Sequence, residues 1–217
     1  MKTIAISRLI GSNAGTIAKR VAERLGYDLV DKSVLQATLE QYGLTRFGKL
    51  YTSTPNIWDL ANSKNLQTIS MMNDTMSALA HRGRTVILAR GAYSALSKYS
   101  DVMKVRIQAS FPTRVLRMME RQASSQRKDI EAFVADDDKA RMKFVKMFYN
   151  QKCCDATDFD LVVNTSILPD ETAENWILET ARLFESADTA KDGKSAATIQ
   201  VDPTLLDAIN YALERRI

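Results

Sequence analysis

The clearest chemical feature lies near the start of the chain, where residues 4–19 combine an apolar strand pattern, a glycine-containing turn and a helical pattern. A turn of this kind presents the free N–H groups of a helix N-terminus, and these bind phosphate without a particular side chain. The common G-x-x-x-x-G-K-[ST] pattern ends in lysine and a hydroxyl residue, but this chain has Ala14 and Gly15 there. We predict a phosphate-binding turn without the usual lysine; a purely structural turn is the alternative. The predicted binding residues are Gly11, Ser12, Asn13, Ala14, Gly15 and Thr16.

Charged side chains follow other strand-like runs, where ligands of open α/β sheets bind. Asp31 and Lys32 come after the second run, and Arg90 follows the third. Arg8 stands at the start of the turn and is a candidate substitute for the missing lysine, because a guanidinium reaches two phosphate oxygens at once. Thr16 lies next to the lost hydroxyl position. Together these residues predict a phosphate site at one edge of a sheet.

The elements that position these residues alternate between strand and helix patterns, which predicts an α/β fold with a five-stranded parallel sheet covered by helices on both faces. The strand-like runs are residues 3–7, 28–30, 85–89, 102–109 and 159–164. The helical patterns are residues 16–25, 32–42, 59–81, 112–122, 130–150 and 169–185. Residues 44–58 are predicted to be a loop that Trp58 anchors at its end.

Composition excludes several classes of protein. The chain of 217 residues is 45% hydrophobic and 26% charged, which is enough for one domain with a full core. It has no apolar run near the roughly 18 residues that cross a membrane and no signal-peptide pattern, so we expect a cytoplasmic protein without membrane association. One histidine and the adjacent Cys153 and Cys154, expected to be reduced thiols, give no ligand set for a structural metal.

Positive charge concentrates between Lys104 and Lys152, where twelve lysines and arginines face six acidic residues. Such a segment favours a polyanionic partner, either nucleotide phosphates or nucleic acid, and a solvated helical face is the structural alternative. Few aromatic residues lie among these basic residues and no nucleic-acid recognition motif is present, so nucleic acid is the unlikely partner.

The chain is predicted to divide into a domain at residues 1–185, a small and polar linker at 186–200, and an amphipathic helix at 201–217. A helix this short is not stable alone. It must therefore dock on its own domain or on a second subunit, which makes a homo-oligomer one of two open alternatives.

Several motifs, in order, resemble the cytidylate kinase-like proteins, which are relatives of the nucleoside monophosphate kinases. The residues that carry the resemblance are Ile6-Ser7-Arg8, Gly11-Ser12, residues 17–26, Asp31-Lys32, residues 86–93, Asp138-Lys139-Ala140-Arg141, Phe144, Phe148 and residues 149–165. The resemblance spans about residues 2–185, and it implies a P-loop kinase-type fold with a helical lid at about 112–152. Such kinases move a phosphoryl group from ATP, with Mg²⁺, to a nucleoside monophosphate or other small acceptor.

The resemblance also implies roles for individual residues. Residues 11–16 would hold the donor nucleotide, and Arg90, with Asp31 and Lys32, would bind the acceptor. Arg117, Arg121, Lys139 and Arg141 resemble lid residues that close over the reacting phosphates and, with Arg8, form the expected catalytic set. Pairing of Arg117 and Arg121 with nearby acidic residues (Glu120, Asp129 or Glu131) is the structural alternative.

The chain departs from the family pattern at the turn, where Asn13 and Ala14 replace two glycines, and at Gly91, where the true cytidylate kinases have the aspartate of G-R-D. Two hypotheses follow. The first is an active kinase whose charge comes from Arg8 and the lid. The second is a catalytically weak or inactive pseudo-kinase that binds nucleotide as a sensor or scaffold.

Overall fold

A computed structural model of the chain describes residues 2–122, 126–186 and 194–215. Within these residues, five strands form one parallel sheet in the order β2-β3-β1-β4-β5. The strands are β1 (Thr3–Arg8), β2 (Asp28–Val30), β3 (Thr85–Ile87), β4 (Val102–Gln108) and β5 (Leu161–Asn164). Because all five run in the same direction, their carboxyl ends lie along one edge. The predicted five-stranded α/β fold is confirmed.

Helices cover both faces of this sheet. They are α1 (Ala14–Leu25), α2 (Lys32–Gln41), α3 (Phe47–Thr52), α4 (Ile57–Ala61), α5 (Ser63–Arg82), α6 (Ala92–Ala95), α7 (Phe111–Arg121), α8 (Arg127–Tyr149), α9 (Asp170–Ser186) and α10 (Pro203–Glu214). No helix in the described part of the chain is both long and apolar enough to span a membrane.

The core forms on both sides of the sheet because side chains alternate along each strand. In β1, Ile4 and Ile6 face a cluster made with α1 and α9, whereas Ala5 faces a second cluster made with α2, α5 and α10. Both clusters are fully buried in their centres. The rigid sheet between them fixes the edge at which the charged residues meet.

Residues 44–58 differ from the predicted loop, because they contain α3 and the first two residues of α4. Phe47 and Tyr51 lie one helical turn apart and bury their rings in the core, which stabilises α3. Trp58 does not anchor the segment; it is 78% exposed. The helix predicted over 59–81 is interrupted at Asn62, whose side chain accepts hydrogen bonds from the N–H groups of Lys64 and Asn65 and so starts α5.

The C-terminal segment docks on its own chain. Leu205, Ile209 and Ala212 of α10 are buried against α2 and α5, and the Gln41 Nε2 amide donates to the Ala208 carbonyl at 3.0 Å. Part of the predicted linker is also packed, since the backbone N–H of Ala196 donates to the Asp101 carboxylate. Residues 187–193 of that predicted linker lie outside the described residues, and the division into domain, linker and helix stays a prediction.

The loop between α8 and β5 carries the adjacent cysteines. The structure joins Cys153 and Cys154 by a disulfide, so the expectation of two reduced thiols is wrong for this structure. The loop brings the two neighbouring side chains together beside Tyr93, whose hydroxyl accepts from the Cys154 N–H.

Candidate phosphate-binding site

The turn between β1 and α1 is tightly folded against α7. Gly11 has a φ of +76°, and a Cβ at this position would come within 2.9 Å of the Arg114 carbonyl oxygen, so only glycine fits. The Ser12 hydroxyl donates to the Leu9 carbonyl at 2.7 Å. Both observations show a turn whose shape is fixed by its own backbone rather than by a ligand.

The N-terminus of α1 is not capped by a side chain. Asn13 holds the N-cap position with a φ of +59°, and its side chain forms no hydrogen bond to the helix backbone. Its amide instead donates to the Asp170 carboxylate at 3.0 and 3.1 Å. The first N–H groups of α1, from Ala14 onwards, are therefore left for an anion, and the helix dipole favours negative charge there.

Three arginines on one face of α7 fasten this turn to the rest of the site. Arg114 makes two hydrogen bonds to the Asp138 carboxylate, at 3.0 and 2.7 Å. Arg117 donates to the Thr165 carbonyl at 2.6 Å, and Arg121 donates to the Asn13 side chain at 2.7 Å. None of the described acidic residues proposed as alternatives, Glu120, Asp129 and Glu131, pairs with Arg117 or Arg121.

A second group of arginines surrounds Asp137 on α8. Arg141 bonds its carboxylate at 2.5 Å, and Arg90, which follows β3, lies 3.6 Å from the other carboxylate oxygen. Arg90 is only 5% exposed, and within the described residues its Nε and Nη1 atoms have no hydrogen-bond acceptor. A buried guanidinium with two unused donors is costly, and an anionic ligand would satisfy both donors.

Electrostatics support the same conclusion. Burial and, after it, the neighbouring charge of Arg141 lower the pKa of Arg90 to about 10, against partial compensation from Tyr51 and Asp137. Burial followed by the charge of Arg141 also lowers the pKa of Arg8. Arg8, Arg90 and Arg141 thus lie close enough for their charges to repel, and a bound anion would relieve that repulsion.

Tyr51 organises the side of the site predicted to bind the acceptor. Its hydroxyl accepts from the Arg90 backbone N–H at 2.6 Å. The Arg90 guanidinium lies 5.3 Å from the ring centroid and the Lys32 ammonium lies 5.9 Å from it. Asp31 serves as the N-cap of α2, since its carboxylate accepts from the Ser33 N–H at 2.9 Å. The structure therefore places Lys32 and Arg90 both near the ring of Tyr51, while Asp31 caps the helix that carries Lys32.

The position of Gly91 explains one departure from the family pattern. Gly91 has a φ of +79°, and a Cβ there would lie 2.5 Å from the ring of Tyr149. That ring is held in place by a hydrogen bond from its hydroxyl to Asn73 at 2.8 Å. An aspartate at this position would collide with Tyr149, so the packing of α8 and the glycine depend on each other.

Two of the predicted site residues do not belong to the buried arginines around Asp137. These are Lys139 on α8 and Thr16 on α1, which are both exposed. Sequence reasoning missed Tyr51, Asp137 and Arg106 as members of the site. The signal for Arg106 was an arginine inside the β4 pattern, at a position that the structure buries to 6% exposure.

The loop offers little to a metal ion. Gly15 has no side chain where the usual pattern has a hydroxyl, the Ser12 hydroxyl is bonded to a carbonyl, and Thr16 faces solvent. No group of three or more potential His, Cys, Asp or Glu ligands occurs among the described residues. The residues present do not fit a protein-held Mg²⁺; a magnesium ion that arrives with ATP would be held by phosphate oxygens and water.

A parallel sheet of this strand order, with a strand–turn–helix unit from β1 to α1 and helices on both faces, is the architecture of the P-loop kinase-type fold. Residues 3–167 match the family model of the cytidylate kinase-like family, and the chain belongs to that family.

Known proteins similar to this chain agree with that assignment. A cytidylate kinase from Methanosarcina barkeri strain Fusaro is 24% identical over 166 residues, which cover 75% of this chain and 86% of that protein. Among solved structures, an uncharacterized protein from Eubacterium ventriosum has a TM-score of 0.59 and 21% identity, covering 84% of this chain and 99% of that one. A shikimate kinase from Bacteroides thetaiotaomicron has a TM-score of 0.52 and 12% identity, covering 83% and 98%, and so shows the shared fold. Family and fold support a nucleotide kinase-like role.

Proposed function

We propose that this protein transfers a phosphoryl group from ATP to a small phosphorylated acceptor, with a nucleoside monophosphate as the favoured class. The observation that carries the proposal is the convergence of Arg8, Arg90 and Arg141, from three separate elements, around one aspartate. Phosphoryl transfer needs little covalent chemistry from a protein; it needs positioning and neutralisation of negative charge. This site is built from groups that do both.

The donor phosphates would bind at the N-terminus of α1. The N–H groups that follow Asn13 supply hydrogen bonds there, and the helix dipole supplies partial positive charge. Arg8, at the end of β1, would contribute the full charge that Ala14 lacks. In this arrangement the turn contributes geometry and the neighbouring arginine contributes charge.

The acceptor phosphate would bind between Lys32 and Arg90, on the side of the site that Tyr51 organises. The two unused donors of Arg90 can meet two oxygens of one phosphate group, which is the geometry that guanidinium favours. Arg141, on α8, would then neutralise charge on the group in transfer. Because Arg90 is buried, α8 has to move for a substrate to enter, as is common for kinase lids.

The test is a direct measurement of ADP formation from ATP–Mg²⁺ across a panel of acceptors that begins with CMP and includes UMP, AMP, GMP and, as an acceptor from a fold relative, shikimate. We expect turnover with at least one nucleoside monophosphate. Arg90→Met should remove it, whereas Arg24→Met, on the exposed side of α1, should leave it unchanged. Failure of every acceptor while ATP binds would reject phosphoryl transfer.

The second candidate function is a pseudo-kinase that binds nucleotide without turnover. Two observations favour it: Ala14 and Gly15 replace the catalytic side chains of the loop, and Asn13 is held on both sides by Arg121 and Asp170. Calorimetry with ATP and with CMP, combined with the ADP measurement, distinguishes the two functions. A pseudo-kinase would bind ATP or CMP and form no ADP, whereas a kinase would bind them and form ADP.

A further inference from the structure

The arginine that sequence reasoning missed, Arg106, lies in the middle of the sheet. It belongs to β4 and pairs in register with Ser7 of β1, so both side chains leave the same face of the sheet. The Arg106 Nη1 atom donates to the Ser7 hydroxyl at 2.7 Å. Arg106 is 6% exposed, which is unusual for a charged residue in a central strand.

Arg106 is a buried arginine whose hydrogen-bonding groups are only partly satisfied. Its Nε atom has no hydrogen-bond acceptor, and no carboxylate within the described residues forms an ion pair with it. The nearby carboxylates are already engaged, since Asp138 is bonded twice by Arg114 and Asp137 is bonded by Arg141. Burial is the main cause that lowers the pKa of Arg106; Tyr93 and Asp138 offset part of this effect, and the charges of Arg141 and Arg114 add to it.

A purely structural role does not account for this arrangement. One hydrogen bond to a serine does not offset the cost of burying an unpaired guanidinium, and an apolar side chain of similar length would pack at this position without that cost. Arg106 shares its pattern with Arg90: both are buried, both have unused donors, and both lie near Arg141. Such a pair is expected where an anion completes the structure.

We propose that Arg106 is a phosphate-binding residue which, together with Arg90, holds a doubly charged phosphoryl group in the interior beneath α8. Arg8, Arg90, Arg106, Arg114 and Arg141 lie around Asp137 and Asp138, which leaves three positive charges in excess; a phosphoryl dianion neutralises two of them. This inference rests on the proposed function, and it adds a contact from the centre of the sheet to a site otherwise built from its edge and from helices.

The test compares wild-type protein with Arg106→Met by isothermal titration with inorganic phosphate and with CMP, and Arg24→Met serves as the control. We expect both ligands to bind at least about tenfold more weakly to Arg106→Met, since a hydrogen bond between two charged groups is lost. Without phosphate, the melting temperature should be unchanged or higher, because a buried charge has been removed. The rise in melting temperature that phosphate causes in the wild type should disappear.

A structural role for Arg106 would give the opposite results: a lower melting temperature without phosphate and affinities within twofold of wild type. Arg106→Lys provides a second variant that keeps the charge, and we expect it to retain part of the affinity. In an NMR spectrum of arginine Nε–H groups, the Arg106 signal should shift on addition of phosphate, and an unmoved signal overturns the proposal. Absence of phosphate binding to the wild type overturns it as well.

The same protein preparations separate this inference from the proposed function. If phosphate binds through Arg106 but no acceptor yields ADP, the phosphate-binding role stands and phosphoryl transfer fails. If ADP forms and Arg106→Met leaves both phosphate affinity and turnover unchanged, phosphoryl transfer stands and the role of Arg106 fails.

Discussion

The two halves of the site differ in how completely their hydrogen bonds are satisfied. At the turn before α1, side chains are paired with protein groups: Ser12 with Leu9, and Asn13 with Asp170 and Arg121. Around Arg90 and Arg106, buried donors have no acceptor among the described residues. The turn has no lysine and its side chains bond to protein groups, while the interior holds more positive charge than its carboxylates balance.

The largest effect is expected at Arg90. Arg90→Met removes two unused donors and a charge, so phosphate and CMP should bind about a hundredfold more weakly, at about 1.5–3 kcal/mol for each hydrogen bond to a charged group. Stability in denaturant titration should change little, because the ion pair with Asp137 is long at 3.6 Å and the Nε and Nη1 donors have no acceptor among the described residues. Arg90→Lys keeps the charge but loses the paired donors of the guanidinium. Its phosphate affinity by isothermal titration should therefore lie between those of the wild type and Arg90→Met. Equal phosphate affinities of the wild type and Arg90→Met would show that the unused donors of Arg90 do not bind phosphate, which would contradict the proposed difference between the two halves.

Asp137 is expected to compete with the ligand. Its carboxylate occupies Arg141 and approaches Arg90 at 3.6 Å, as a phosphate would. Asp137→Asn should therefore strengthen phosphate binding by about tenfold while lowering stability by about 1–3 kcal/mol in phosphate-free buffer, since two guanidinium groups lose their counter-charge. Titration calorimetry and urea unfolding measure the two effects. Weaker phosphate binding in this variant would show that Asp137 supports the ligand instead.

A substitution at Arg8 tests whether this residue supplies the positive charge that the turn lacks. Arg8→Ala should weaken ATP binding by about tenfold, at about 1.5 kcal/mol for one charged contact, and lower turnover with it. Phosphate binding at Arg90 should change less, which a parallel titration checks. If ATP affinity and turnover equal those of the wild type, Arg8 does not replace the missing lysine.

The smallest effect is expected at Asn13. Asn13→Ala loses the contacts with Arg121 and Asp170 and places alanine at a φ of +59°, which should cost about 1–2 kcal/mol of stability. Asn13→Gly loses the same contacts without backbone strain, so it should be the more stable of the two by thermal unfolding. ATP affinity should change less than about threefold in both variants, because backbone N–H groups bind the phosphates. A larger loss of ATP affinity in Asn13→Gly would show that the Asn13 side chain binds the nucleotide directly.

Much of the fold was predictable from the sequence because alternating strand and helix patterns reflect burial directly. The helices at residues 44–58 were not, since Gly, Ser and Pro in that segment indicate a loop while the burial of Phe47 and Tyr51 depends on distant elements. Residues at strand ends, such as Arg8 and Arg90, could be predicted to converge because parallel strands end at one edge. Arg106 could not, because an arginine within a strand normally faces solvent and its burial depends on elements distant in sequence that cover this face of the sheet.

The docking of α10 has a consequence for the kinetics of the whole molecule. This helix lies outside residues 3–167, which match the family, yet it covers α2, the helix that carries Lys32 at its start. Elements that bury one another tend to open as one cooperative unit in hydrogen exchange. We expect the amides of α2 and α10 to exchange together, so the docking of α10 would set how often the part of the proposed acceptor site that carries Lys32 opens.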